Sequence, residues 1–129
     1  MYTSERKRNN PMIVCSKLEA LLVDYNVIYR ELRDSYDRPR YVGEGDVLSG
    51  VVDDILTLHH DVFKNIDPKI PFVLEDLINK VCDGLEQLMS AYQDKAAGIY
   101  FVDTNSREYG MKYAYLQVIS DLELVMYAR

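Results

Sequence analysis

Apolar residues recur along this chain at spacings that alternate between three and four, and no other feature limits its fold as tightly. In the first such run Val14, Leu18, Leu21, Tyr25, Ile28 and Leu32 follow at intervals of four, three, four, three and four. A helix turns 100° per residue, so these side chains fall on one face, whereas a half-buried strand alternates every second residue. Cys15, Leu22, Tyr29 and Tyr36 form a parallel row one residue over. Together the rows make a stripe wide enough for a bundle core.

Three more runs share this rhythm: Leu48, Val51, Ile55, Leu58 and Val62; Leu74, Ile78, Val81, Leu85, Leu88 and Tyr92; and Met111, Tyr115, Val118, Leu122 and Val125. Prolines and caps punctuate them. Pro11 suits a first helical position, where its missing N–H leaves no bond unmade. Pro39 disfavours helix at Arg38, so the first helix is expected to stop by Asp37. Arg38–Gly45 reads as a loop, with Asp46 as the next N-cap. Pro71 opens the third helix, and Gly98 suits the position just past its end. Asn105-Ser106-Arg107-Glu108 has the capping-box spacing, with Glu108 three residues into the fourth helix. The expected helices are 11–37, 47–65, 71–96 and 106–128.

Four amphipathic helices cover each other's apolar stripes most simply as a four-helix bundle, so the expected class is all-α. Residues 1–10 read as a flexible polar tail and 11–129 as one helical domain. The expected core includes Leu21, Ile28, Ile55, Ile78, Leu85, Val118 and Leu122. No apolar run approaches the ~18 residues of a membrane span, and the opening residues do not form a secretory signal. The expected setting is cytoplasmic. Cys15 and Cys82 belong to no C-x-x-C pair and read as reduced, buried thiols.

The only histidines are adjacent, in His59-His60-Asp61. A metal pair on one helix needs its second ligand three or four residues away, and those places hold Leu56, Ile55, Val62, Phe63, Thr57 and Lys64. The histidine–aspartate pair lacks the further upstream histidine of HD-type phosphohydrolases. There is no Glu-x-x-His for a di-iron bundle. The carboxylates Asp53, Asp54, Glu75, Asp76, Asp121 and Glu123 do not repeat one turn apart, as a magnesium-holding pyrophosphatase bundle requires. The expectation is a protein without metal or cofactor, and a binding protein rather than an enzyme.

Net charge is −6, with residues 1–40 slightly basic and 41–129 strongly acidic. That balance argues against nucleic acid as the partner. Arg30, Arg33, Arg38 and Arg40 form the one dense basic region and the alternative reading, a phosphate contact; local pairing of Arg30 with Asp34, Arg33 with Asp37 and Asp34 with Arg38 would consume it. A second alternative is an enzyme whose histidine and carboxylates converge only in the fold. Eleven tyrosines are the compositional oddity. Tyr109, Tyr113, Leu116 and Tyr127 lie off the main seam of the fourth helix, and Tyr29 and Tyr36 off that of the first. This surplus predicts a second buried face, with a protein partner or a homodimer as its cover and Gly110 and Ala114 allowing close approach. The expected function is a small helical interaction module: an adaptor, regulator or inhibitor.

Overall fold

The computed structural model describes residues 7–35, 37–64 and 74–127. Four helices carry the fold: α1 (Pro11–Arg33), α2 (Pro39–Phe63), α3 (Leu74–Ala97) and α4 (Arg107–Met126). They pack as an all-α four-helix bundle. α2 is its hub, lying along α4 and α1 and touching α3, while α1 and α3 barely meet.

Asn10 caps α1 by accepting from the Met12 amide, with Pro11 at the first helical position. The helix stops at Arg33 rather than running to Asp37, and Asp34 closes it through the Arg30 carbonyl. The stretch expected as a loop is helical. α2 starts at Pro39, whose fixed φ suits a helix start as well as it ends the previous one. Gly43 and Gly45, which suggested a loop, sit inside α2 because two neighbours need their missing side chains. A Cβ at Gly43 would strike the Arg107 backbone of α4, and one at Gly110 would strike the Arg40 backbone of α2. Two turns of α2 and α4 thus cross backbone to backbone. Gly45, about 200° around the helix from Gly43, faces Tyr29 and Leu32 of α1. Gly84 accommodates the Leu58 side chain across the α2–α3 contact. Ser106, not Asn105, caps α4, accepting from the Tyr109 amide. Ala97 ends α3, and Gly98 follows without a left-handed turn. The expected Pro71 start lies outside the described residues.

Leu85, Met89, Val118, Leu122 and Met126 are fully enclosed at the centre. Ile55 and Ile78 join them as expected. Leu21 is only half-buried, and Ile28 is 37% exposed. The α1 stripe therefore bears on the core through Val14, Leu18 and Tyr25, because α1 packs mainly on α2 and only lightly on α3 and α4.

Three of the eleven tyrosines tie the core to its rim. Tyr25 donates to Asp121 Oδ2 at 2.8 Å, Tyr92 to Asp54 Oδ2 at 2.8 Å, and Tyr127 to Glu86 Oε1 at 2.9 Å. Each ring fills the core while its hydroxyl reaches a carboxylate at the rim, tying one element to another.

Arg8 and Asn9 are held rather than loose. Arg8 forms an antiparallel bridge with Tyr127 and ion pairs with Asp83 and Glu86 at 2.6 and 2.9 Å. Asn9 bonds the Met126 and Val125 carbonyls. Among the described residues, no helix is long and apolar enough to cross a membrane.

Candidate interaction face

α4 presents two apolar sides. Gly110, Ala114, Val118, Leu122 and Val125 face inward. Tyr109, Tyr113, Leu116 and Leu124 lie on the opposite side by the 100° rule, with Tyr113 and Leu116 41% and 51% exposed. Ser120 lies among them, while Glu123 and Lys112 border the Leu116 edge and Gln117 the other, so the charges of α4 flank the strip and its middle is neutral.

Support for this strip comes from α2 and the α3–α4 connection. The Phe101 ring meets Tyr109 edge-on at 5.0 Å, and Tyr109 stacks with Tyr113 at 6.4 Å. The Arg40 guanidinium lies 4.8 Å from the Tyr109 ring centroid and 5.6 Å from that of Tyr113. The Arg40 Nε is buried without a hydrogen-bond partner among the described residues. The ring faces take the place of that partner, since an arginine over a tyrosine is attracted by the ring quadrupole. One helical turn on, burial raises the Glu44 carboxyl above the ordinary range, and the Arg40 charge offsets only part of that. Arg107 closes the edge with a 2.9 Å ion pair to Asp46.

The structure does not gather all the expected face residues. Tyr127 is 3% exposed and belongs to the core. A chain that leaves its helix at Met126 and bridges to Arg8 turns that ring inward, so Tyr127 is removed from the face. Gly110 and Ala114 are buried as well, so the close approach they allow is to α2 and not to a partner. Tyr29 is half-buried over Gly45, on the other side of α2 from Tyr109. Tyr36 lies outside the described residues. What remains is Tyr109, Tyr113 and Leu116, with Phe101 and Leu124 added.

The four arginines do not converge. Arg30, Arg33 and Arg38 are exposed, and Arg38 lies over Tyr41 at 5.6 Å, while Arg40 is turned under the tyrosines. None of the three expected arginine–aspartate pairs forms among the described residues; α1 ends before Asp37 and Arg38 can share its face, and Asp34 stands at its C-cap. No protein-family model, curated protein or solved structure matches this chain. The site must therefore be read from its own chemistry.

The histidine-centred alternative fares no better. His59 stacks on Phe63 at 4.5 Å, and His60 is exposed. Among the described residues no three His, Cys, Asp or Glu side chains are grouped for a metal ion. Cys15 and His59 do line one cavity, an apolar slot of about 340 Å³ between α1, α2 and α3. Its walls are Val14, Leu18 and Leu22 of α1, with Ile78 and Val81 opposite and Ile55 and Leu56 between. Burial and the Glu19 carboxylate push the Cys15 thiol up, the reverse of what a nucleophile paired with histidine requires.

Sequence reasoning missed Phe101 and Arg40 as parts of the face. The run Ile99-Tyr100-Phe101-Val102 reads as a mere link, yet an apolar run in a connection is itself a sign of a docked or docking segment. Arg40 carries no such sign, because its role depends on where α2 begins.

Proposed function

We propose that this protein is a helical interaction module that acts through the outward face of α4 and pairs there with a second copy of itself. The observation that carries this reading is the aromatic strip, neutral along its middle, opposite the core stripe of α4. Leaving it wet costs roughly 25 cal/mol per Å² of apolar area. The Arg40 packing beneath Tyr109 and Tyr113 holds the rings in place, so little side-chain freedom is lost on docking. A two-fold homodimer is the simplest cover, because a strip that is neutral along its middle meets itself without charge conflict.

One helix face is not enough by itself. A 20-residue helix is about 30 Å long and ~10 Å wide, whereas a standard interface takes ~800 Å² per partner. Phe101, 5.0 Å from the Tyr109 ring, adjoins the strip, and its exposed chain neighbours Tyr100 and Val102 offer further apolar area. Sedimentation equilibrium across the micromolar range tests the reading. The expected result is a dimer that Leu116→Glu and Tyr113→Glu each dissociate with the helical spectrum unchanged. A monomer at tens of micromolar rejects self-association, and a dimer indifferent to both changes places the interface elsewhere.

A further inference from the structure

The slot between α1, α2 and α3 is separate from the α4 face, and its shape says what can enter it. Val14, Ile55, Ile78 and Val81 form its floor, each exposed by 1–3%, whereas Glu19, Leu56 and His59 stand exposed at its rim. The cavity, about 340 Å³, is thus apolar at depth and wet at its mouth. It also lies within the usual range for small-molecule sites, ~300–1,000 Å³. On the ~30 Å³ share of a liquid water molecule, its volume corresponds to roughly ten methylene-sized groups. Among the described residues the walls offer no carboxamide or hydroxyl that would reward a polar ligand body.

Polarity is confined to the mouth. Among the described residues Glu19 is the only charged side chain on the lining, and it makes no hydrogen bond or ion pair with any of them. Its carboxylate helps raise the Cys15 thiol, and no described cation bears on that thiol. His59, also on the mouth, adds a ring nitrogen that can accept or donate a hydrogen bond. An anionic head would meet an uncompensated carboxylate, whereas an ammonium head would find its partner there.

We infer that this slot binds the single aliphatic chain of a cationic amphiphile, with the chain between α1 and α3 and the ammonium at Glu19. The slot opens where α1 and α3 barely meet, so a chain seated there supplies the contact the two helices lack.

The test uses the Cys15 thiol as the reporter. It lines the slot and is half-buried, whereas Cys82 is 1% exposed. Cys15 is alkylated with iodoacetamide in the presence of hexylamine, octylamine or decylamine, each kept below its micelle concentration, and calorimetry gives the stoichiometry. Expected is saturable, one-to-one protection that improves about fourfold per methylene while the chain still fits. Decanoate should protect less well than decylamine, with up to about fivefold due to the ion pair. Glu19→Lys, an exposed position, should reverse that order. Absence of protection by millimolar decylamine overturns the proposal. So does equal protection by amine and carboxylate that Glu19→Lys does not change. Labelling of Cys82 in the presence of amine would also overturn it, by showing that the amphiphile opens the core instead of filling the slot.

Discussion

Replacing Gly110 with alanine tests the α2–α4 crossing on which the whole arrangement rests. A Cβ at Gly110 would overlap the Arg40 carbonyl oxygen and lie 2.8 Å from its carbon and 3.1 Å from the Glu44 nitrogen. At Gly43 it would overlap the Arg107 carbonyl oxygen and lie 3.0 Å from its carbon. The obstacles are backbone atoms, so no side-chain rotation relieves them, and α2 and α4 must move apart. Overpacking of this kind costs about 1–3 kcal/mol. Alanine regains up to ~1 kcal/mol over glycine in a helix interior, leaving each variant less stable by roughly 1–2 kcal/mol. Gly50 is the internal control: it is exposed on α2 with nothing within 4 Å of a Cβ. Gly50→Ala therefore keeps the propensity gain and should be more stable by up to ~1 kcal/mol. Gly45→Ala should also be tolerated, since its nearest neighbours stand at 3.7 Å. For a domain of this size 1 kcal/mol moves Tm by roughly 3–5 °C, so melting curves and urea midpoints separate the two classes. If Gly110→Ala and Gly43→Ala behaved like Gly50→Ala, the two helices would not cross at these glycines and the outward direction of Tyr109 and Tyr113 would lose its basis.

The tyrosine–carboxylate ties should show in alkaline solution. Burial and then the facing carboxylates raise the Tyr25 and Tyr92 hydroxyls above the ordinary tyrosine range, so each favours the fold while neutral. That contribution is complete below the unfolded-state value near ~10 and is lost as pH rises beyond it. Tyr25→Phe and Tyr92→Phe should each lower stability by about 1–2 kcal/mol at pH 8, and urea midpoints of the double variant should fall less steeply between pH 9 and 11 than those of the parent. Arg8→Ala should lower Tm by removing the pairs to Asp83 and Glu86, with a loss of about 1 kcal/mol that shrinks in high salt; an unchanged Tm would mean the clasp adds nothing. Leu85→Ala, at a fully enclosed position, should cost ~2–5 kcal/mol, whereas Ile28→Ala should cost well under half as much because Ile28 is already partly wet. Equal losses at the two sites would show that α1 packs more deeply than described.

The helices were legible because the periodicity that forms them is local. Three- and four-residue spacing announces an amphipathic helix whatever it later packs against. What spacing could not convey was the depth at which each stripe is covered. Ile28 continues the α1 seam in perfect register, yet it is 37% exposed. Nor could propensity place the start of α2. Gly43 and Gly45 weaken a helix when read alone, and only the backbones of Arg107 on one side and the ring of Tyr29 on the other give them a reason to be there. Tyr25, Tyr92 and Tyr127 posed the same problem in another form. Each hydroxyl needed a carboxylate far away in sequence, so residue type alone could not separate a tyrosine that ties the core from one that waits on the surface.

α4 brings these strands of argument together. It has apolar residues on two sides, and the three–four seam that ends in Val118, Leu122 and Val125 marks the one that turns inward. The depth of that contact is set by the smallest residues rather than the largest. Gly110 lets the Arg40 backbone of α2 come close, and Gly43 of α2 does the same for the Arg107 backbone. Once this contact is set, Val118, Leu122 and Val125 are carried into the core by their spacing, and Tyr109, Tyr113 and Leu116 are carried to the opposite side by the same spacing. The two faces are therefore coupled. A change that loosens the glycine crossing disturbs the outward strip without touching it, because Arg40 reaches Tyr109 and Tyr113 from the turn of α2 that packs on Gly110. Gly110→Ala should accordingly weaken self-association at concentrations where the chain remains folded, while Gly50→Ala, which spares the crossing, should leave it intact. Sedimentation of both variants at one temperature below either melting point decides the matter, and equal dimer populations would show that the face does not depend on the crossing.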